Sequence, residues 1–134
     1  MKIKHIFVLL FFFSTKISSQ ISPDNIEIVR DSYGVPHIYA STDAEVAYGF
    51  GWAQAEDNFK TIQQAYLAGN GLLSKLKGLK GASADFLVQL IQSEKIVNDQ
   101  FHTLDPKFIE LLYGFTGGLN AYADKYPHEI LESS

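Results

Sequence analysis

Ile26-Glu27-Ile28-Val29-Arg30-Asp31-Ser32-Tyr33-Gly34-Val35-Pro36-His37-Ile38-Tyr39-Ala40 carries the clearest local structure in the 134-residue chain. Residues 26–30 alternate apolar and polar side chains, as a half-buried strand does. Asp31-Ser32-Tyr33-Gly34 is turn chemistry, and Gly34 can take the positive φ that short hairpin loops need. Val35 to Ala40 reads as the returning strand. Pro36 cannot donate to a ladder, so it belongs on an edge or at the strand's first residues. The stretch predicts a β-hairpin over 26–40.

Downstream, Thr42-Asp43-Ala44-Glu45 is a capping box that opens a helix at Asp43. The helix is expected to reach about Leu67 and to stop at Ala68-Gly69-Asn70-Gly71. Its interior holds Gly49, Gly51, Ala53 and Ala55. Each helical glycine costs about 1 kcal/mol relative to alanine, so the pair predicts close approach of another backbone. Phe50, Trp52, Phe59, Ile62 and Tyr66 supply bulk around them. Residues 72–82, with three lysines, Gly78 and Gly81, read as a surface connection. Phe86, Leu87, Leu90 and Ile91 recur at helical spacing and predict a short helix near 83–92. A second short helix is expected within Ser93–Thr103. Asp105 as cap and Pro106 in the first turn start the last helix, whose stripe of Phe108, Leu111, Leu112, Phe115 and Leu119 runs toward Tyr126. Gly114, Gly117 and Gly118 again predict tight packing. The class is α+β: a hairpin followed by mainly helical segments. A lone hairpin is marginal in water, so its sheet is expected to be completed by chain outside this sequence.

Upstream, Lys2, Lys4 and His5 precede the apolar run Ile6–Phe13 and the polar stretch Ser14–Gln20. The run is too short for a membrane span, which takes about 20 residues. It has the layout of a signal peptide over 1–20, with cleavage expected near Ser19 or Gln20 and the product periplasmic or secreted. Without residues 1–20 the chain keeps 8 Lys and Arg against 15 Asp and Glu, a net charge of −7. That balance argues against nucleic acid as a partner. Cysteine is absent, which excludes disulfides, zinc thiolates and a thiol nucleophile. No stable membrane association is expected.

The motifs that would carry chemistry are missing. His5, His37, His102 and His128 have no metal-ligand spacing. Gly49-Phe50-Gly51 opens like a dinucleotide loop, but Gln54 stands where the third glycine belongs and no strand precedes it. Gly81-Ala82-Ser83-Ala84-Asp85 lacks the final glycine of a nucleophile elbow. Glu56 and Asp57 are neighbours on a helix and are expected to point apart, which leaves a solvated or ion-paired helix face as their reading. No catalytic, cofactor-binding or metal-binding residue is assigned.

Three stretches, taken together, resemble the penicillin acylase family. They are Ile28–Ala40; Tyr48-Gly49-Phe50-Gly51-Trp52-Ala53-Gln54-Ala55-Glu56-Asp57; and Tyr113-Gly114-Phe115-Thr116-Gly117-Gly118-Leu119-Asn120-Ala121-Tyr122. Their order and spacing agree with the N-terminal part of that family's small subunit, over nearly all of 24–126. Arg30, Asp31, Gly34, Pro36 and His37 match the signature hairpin; Gly49, Gly51 and Asp57 match the following helix.

The resemblance implies an N-terminal-nucleophile hydrolase of αββα architecture, of which residues 21–134 are a partial α-chain region. It implies a precursor cut into α and β chains, with a Ser at the new β N-terminus attacking an amide. Nucleophile, base and oxyanion donors then lie in the β-chain region, the expected partner, and the substrate is an N-acylated small molecule. No cofactor is expected in this stretch; calcium is an implication for the complete enzyme only. Asn58-Phe59-Lys60 after Asp57 departs from the penicillin acylases proper and resembles the branch acting on lipopeptides and acyl-homoserine lactones. A long-chain N-acyl amide is accordingly the expected substrate. A non-catalytic secreted scaffold domain, or a truncated product without function, remain alternatives on the residues alone.

Overall fold

The computed structural model describes residues 21–131, and the expected signal segment lies outside them. Strands β1 (Glu27–Arg30) and β2 (Pro36–Tyr39) pair antiparallel, with Glu27 opposite Tyr39 and Arg30 opposite Pro36. Pro36 is the first residue of its strand, where its missing N–H costs the ladder least. Gly34 closes the turn at φ 81°. Among the described residues no further strand joins this two-stranded sheet.

Helix α1 (Asp43–Gly69) starts where the capping box places it. Thr42 Oγ1 accepts from the Glu45 N–H, and Glu45 Oε2 accepts from the Thr42 N–H. The helix is not continuous. Asn58 leaves helical geometry (φ −161°, ψ 61°), and its Oδ1 accepts from the Thr61 N–H, so it caps the second half of its own helix. That break was not expected from the sequence.

The 72–82 stretch is a correction. It holds a one-turn helix, α2 (Ser74–Lys77), and the start of α3 (Leu79–Leu90), four residues earlier than the apolar stripe suggested. Asp85 accounts for the difference: it organises this stretch by accepting from the N–H groups of Leu73 at 2.7 Å and Ser74 at 2.8 Å. Gly81 lies flat against the same peptide, where a Cβ would sit 2.6 Å from Leu73 C and Ser74 N. Helix α4 (Ser93–Gln100) and a 3-10 turn at Phe101–Thr103 follow as expected. Helix α5 (Pro106–Lys125) is capped by Asp105, whose carboxylate accepts from the Lys107 N–H at 2.8 Å.

The chain is centred on α1 against α5. Gly51 faces the Phe115 carbonyl, Gly114 the Ala44 carbonyl and Gly118 the Tyr48 carbonyl, each too close to admit a Cβ. These are the backbone approaches that the glycines predict. Gly49 behaves differently, because it receives the side chains of Ile38 and Ile26 from the hairpin rather than a backbone. Ala55, Phe59 and Tyr122 form the buried centre, with Trp52, Ile62 and Leu119 packed on it. The stripe of α3 points the other way: Phe86, Leu87 and Leu90 are 64%, 57% and 63% exposed, while Asp85 is 6% exposed.

Candidate functional site

The polar cluster with the most partners joins the hairpin to α1. At the turn, Asp31 Oδ1 accepts from the N–H groups of Tyr33 at 2.9 Å and Val35 at 3.0 Å, and Oδ2 lies 3.4 Å from His37 Nε2. The Val35 bond leads in holding this carboxyl below the usual aspartate range, and Tyr33 and His37 help against a smaller opposing effect of burial. The turn residues are thereby tied to their own loop.

Arg30, at the end of β1, reaches across to α1. Its Nη2 lies 2.8 Å from Glu56 Oε2 and 2.7 Å from Asp57 Oδ1, its Nε donates to Glu56 Oε2 at 3.2 Å, and its Nη1 donates to the Gly34 carbonyl at 2.8 Å. Glu56 and Asp57 do not point apart. They sit in the last turn before the Asn58 break, and both converge on one guanidinium, whose pKa the Glu56 bond chiefly raises. The ion-paired helix face of the sequence reading is right, but the geometry behind it is not.

Beside this cluster, an apolar hollow of about 290 Å³ is lined by Pro23, Ile26, Ile28, Tyr48, Gly49 and Trp52. Ile28 and Trp52 also line an adjoining open groove of about 580 Å³ that ends at Arg30 and Glu56. Arg30 is already matched by two carboxylates, so it offers no free charge to an anion there. On the far side of Trp52 lie Tyr122, edge-on at 5.5 Å, and Tyr126, while Lys125 Nζ stands 5.1 Å over the indole.

The arrangement positions the hairpin on α1. Among the described residues no three His, Asp or Glu side chains gather to hold a metal. Glu56 and Asp57 converge, but on Arg30, so this pair of carboxylates does not fit a calcium ion. His37 pairs with Asp31. The residues that match the signature are brought together: Arg30, Asp31, Gly34 and His37 in the hairpin, with Asp57 bonded to Arg30 and Gly49 seated beneath Ile38. Sequence reading missed Asn58, Asp85 and Gln63. A signal existed for Asp85, since Gly81 and Asp85 are one helical turn apart and share a face. For Gln63 there was none.

The hairpin, the glycine-faced helix and its partner helix have a counterpart among solved structures. A thermostable penicillin G acylase from Alcaligenes faecalis matches with a TM-score of 0.69 and 25% identity, over 78% of this chain and 55% of that one. The fold is thus that of part of an N-terminal-nucleophile hydrolase. The family model described as penicillin amidase matches residues 25–132. The chain belongs to the penicillin amidase family. Penicillin G acylase of Escherichia coli is 29% identical over 117 residues, covering 87% of this chain and 14% of that protein. Aculeacin-A acylase of Actinoplanes utahensis is 37% identical over 73 residues, covering 54% of this chain and 9% of its own length. An acyl-homoserine lactone acylase of Pseudomonas savastanoi is 28% identical over 107 residues, covering 74% of this chain and 14% of its own. The chain therefore spans about a seventh or less of these relatives.

Proposed function

We propose that this chain is the N-terminal, non-catalytic part of an amidase that hydrolyses an N-acylated substrate to a carboxylate and an amine. It works joined to a larger region of the same precursor, which supplies the nucleophile. The outward apolar face of α3 carries this reading. Phe86, Leu87 and Leu90 stand in solvent, and elsewhere in the chain the two-stranded sheet has edges with no partner strand among the described residues. Such a surface wants a cover, and family membership supplies the class of cover.

The chemistry of that region follows from the class. A hydroxyl at a freed N-terminus has its own α-amino group as base, with an unperturbed pKa near ~8. Oxyanion donors stabilise the tetrahedral intermediate. This chain contributes the hairpin and the α1–α5 platform against which that region is held. The substrate class is an N-acyl amide of the β-lactam, acyl-homoserine lactone or lipopeptide type, and Asn58 after Asp57 favours a long acyl chain. The product is exported after removal of residues 1–20, so N-terminal sequencing should begin near Ser19 or Gln20. Among the described residues no helix is long and apolar enough to cross a membrane.

Amine release from short- and long-chain N-acyl substrates tests the reading, with the 21–134 chain alone and joined to the remainder of a related acylase. Turnover is expected only in the joined form. Saturable hydrolysis by the purified chain alone, abolished by substituting one of its own Ser or Asp residues, would overturn it.

A further inference from the structure

The chain leaves α5 through a 3-10 turn at Pro127–Glu129, and two side chains from the helix pair hold that exit. Gln63, on the second half of α1, uses both ends of its carboxamide. Its Nε2 donates to the Glu129 carbonyl at 3.0 Å, and its Oε1 accepts from the Leu131 N–H at 2.7 Å. The carbonyl of one residue and the N–H of the second residue after it point the same way in extended chain. Together they are the pair that the N–H and C=O of one residue in a neighbouring parallel strand would engage. Ile130 between them is extended (φ −70°, ψ 127°). The glutamine side chain thus stands where a strand backbone would.

Tyr122 adds a second hold, its hydroxyl donating to the Glu129 carboxylate with both oxygens at 3.2 Å. The ring of Tyr122 is buried edge-on against Phe59 at 5.2 Å, and Phe59 precedes Gln63 by one turn. Both holds therefore stand on the rigid centre of the chain. Asn58 contributes as well, because the break it makes starts a second helical segment that carries Gln63.

We infer that Gln63 and Tyr122 form a strand-mimicking clamp that fixes the direction in which the chain departs from the helix pair, with Gln63 a positioning residue for residues 129–131. The inference goes beyond the amidase reading and does not depend on it.

Site-resolved amide hydrogen exchange on the full chain tests the clamp. Gln63→Leu, close in volume but unable to hydrogen-bond, should speed exchange at Leu131 by about tenfold or more while interior amides of α5 stay protected. Gln63→Glu supplies a pH signature that ordinary packing would not. A protonated glutamate offers a donor and an acceptor in the same places. Above the usual glutamate pKa, about 4, the carboxylate still accepts from the Leu131 N–H but faces the Glu129 carbonyl without a donor, so Leu131 should be better protected below that pKa than above it. The wild type at each pH controls for titration of the neighbouring Glu129 and His128. Tyr122→Phe should free the Glu129 side chain and leave Leu131 protected. Unchanged exchange at Leu131 in Gln63→Leu overturns the clamp. So does a loss shared equally by α1, α5 and Leu131 in every variant, which would make Gln63 an ordinary stabilising residue.

Discussion

Helices α5 and α3 both carry an apolar stripe at helical spacing, and the two stripes meet opposite fates. On α5, Phe115 and Leu119 turn toward α1, and Gly114 and Gly118 bring the two backbones together. On α3, Phe86, Leu87 and Leu90 turn outward, and the inward positions hold Gly81 and Asp85. The difference comes from what lies beneath each helix. Beneath α5 is a helix whose own small residues can receive it. Beneath α3 is a turn of irregular backbone, whose free N–H groups at Leu73 and Ser74 call for a carboxylate rather than a methyl group. Satisfying those amides sets the rotation of α3, and the stripe faces solvent as a consequence. One half of the chain is packed for itself, and the other half presents a surface.

The strongest way to break that contrast is to fill a glycine on the packed side. Gly118→Ala would drive a methyl group into the Tyr48 carbonyl, with the Trp52 nitrogen 2.8 Å away. Backbone cannot yield as a flexible side chain does, so the expected loss is about 3 kcal/mol, read as a lowered urea midpoint. Gly69→Ala is the matched control, because nothing lies within 4 Å of the added methyl. It should be neutral or stabilising by up to about 1 kcal/mol. Equal losses at the two positions would mean that the α1–α5 approach is not the seat of stability.

The outward stripe should respond in the reverse manner. Leu87→Gln and Leu90→Gln remove apolar surface that is 57% and 63% exposed, so each should change the stability of the 21–134 chain by within about 0.5 kcal/mol. The same pair of changes should weaken association with the remainder of a related acylase, measured by co-purification or by recovered turnover. A stripe that proves indifferent in both settings would leave the exposed face of α3 without a role.

This contrast also marks where sequence reasoning works. Caps and turns were legible because their partners lie within four residues: Thr42 with Glu45, Asp105 with Lys107, and Gly34 in its loop. The glycines of α1 and α5 were legible as small surfaces, since a costly residue repeated on one helix face asks for a neighbour. Helical spacing reveals a stripe but not the direction it faces, and α3 shows the two are separable. The Asn58 break, the convergence of Glu56 and Asp57 on Arg30, and the grip of Gln63 on Leu131 all depend on partners 26 or more residues away, or on a local break with no proline to announce it. At the candidate site, the residues that match the signature were legible as a set. Their function as a weld between hairpin and helix was not, because nothing in the spacing of Arg30 and Asp57 says that they meet.

The smallest expected effect concerns acid, and it separates the two halves by pH alone. Burial of Asp85 raises its pKa, but hydrogen bonds from the Ser74 side chain and from the N–H groups of Ser74 and Leu73 outweigh that, and the carboxyl is held below the usual range. A carboxyl lowered on folding contributes stability that is fully present above its unfolded pKa, about 3.9, and that fades as pH falls through the lower native value. The α1–α5 contact rests on glycines, aromatic rings and backbone shape, none of which titrates in that window. Lowering the pH below the ordinary aspartate range should therefore release the Leu73 and Ser74 amides to exchange before those of Gly114 and Gly118. Asp85→Asn keeps the size of the side chain but offers only one oxygen acceptor. It should show the released pattern already at neutral pH and little further change on acidification. If the Leu73 and Ser74 amides instead follow the α5 amides at every pH, Asp85 does not hold α3 in its outward rotation, and the contrast between the two helices needs another cause.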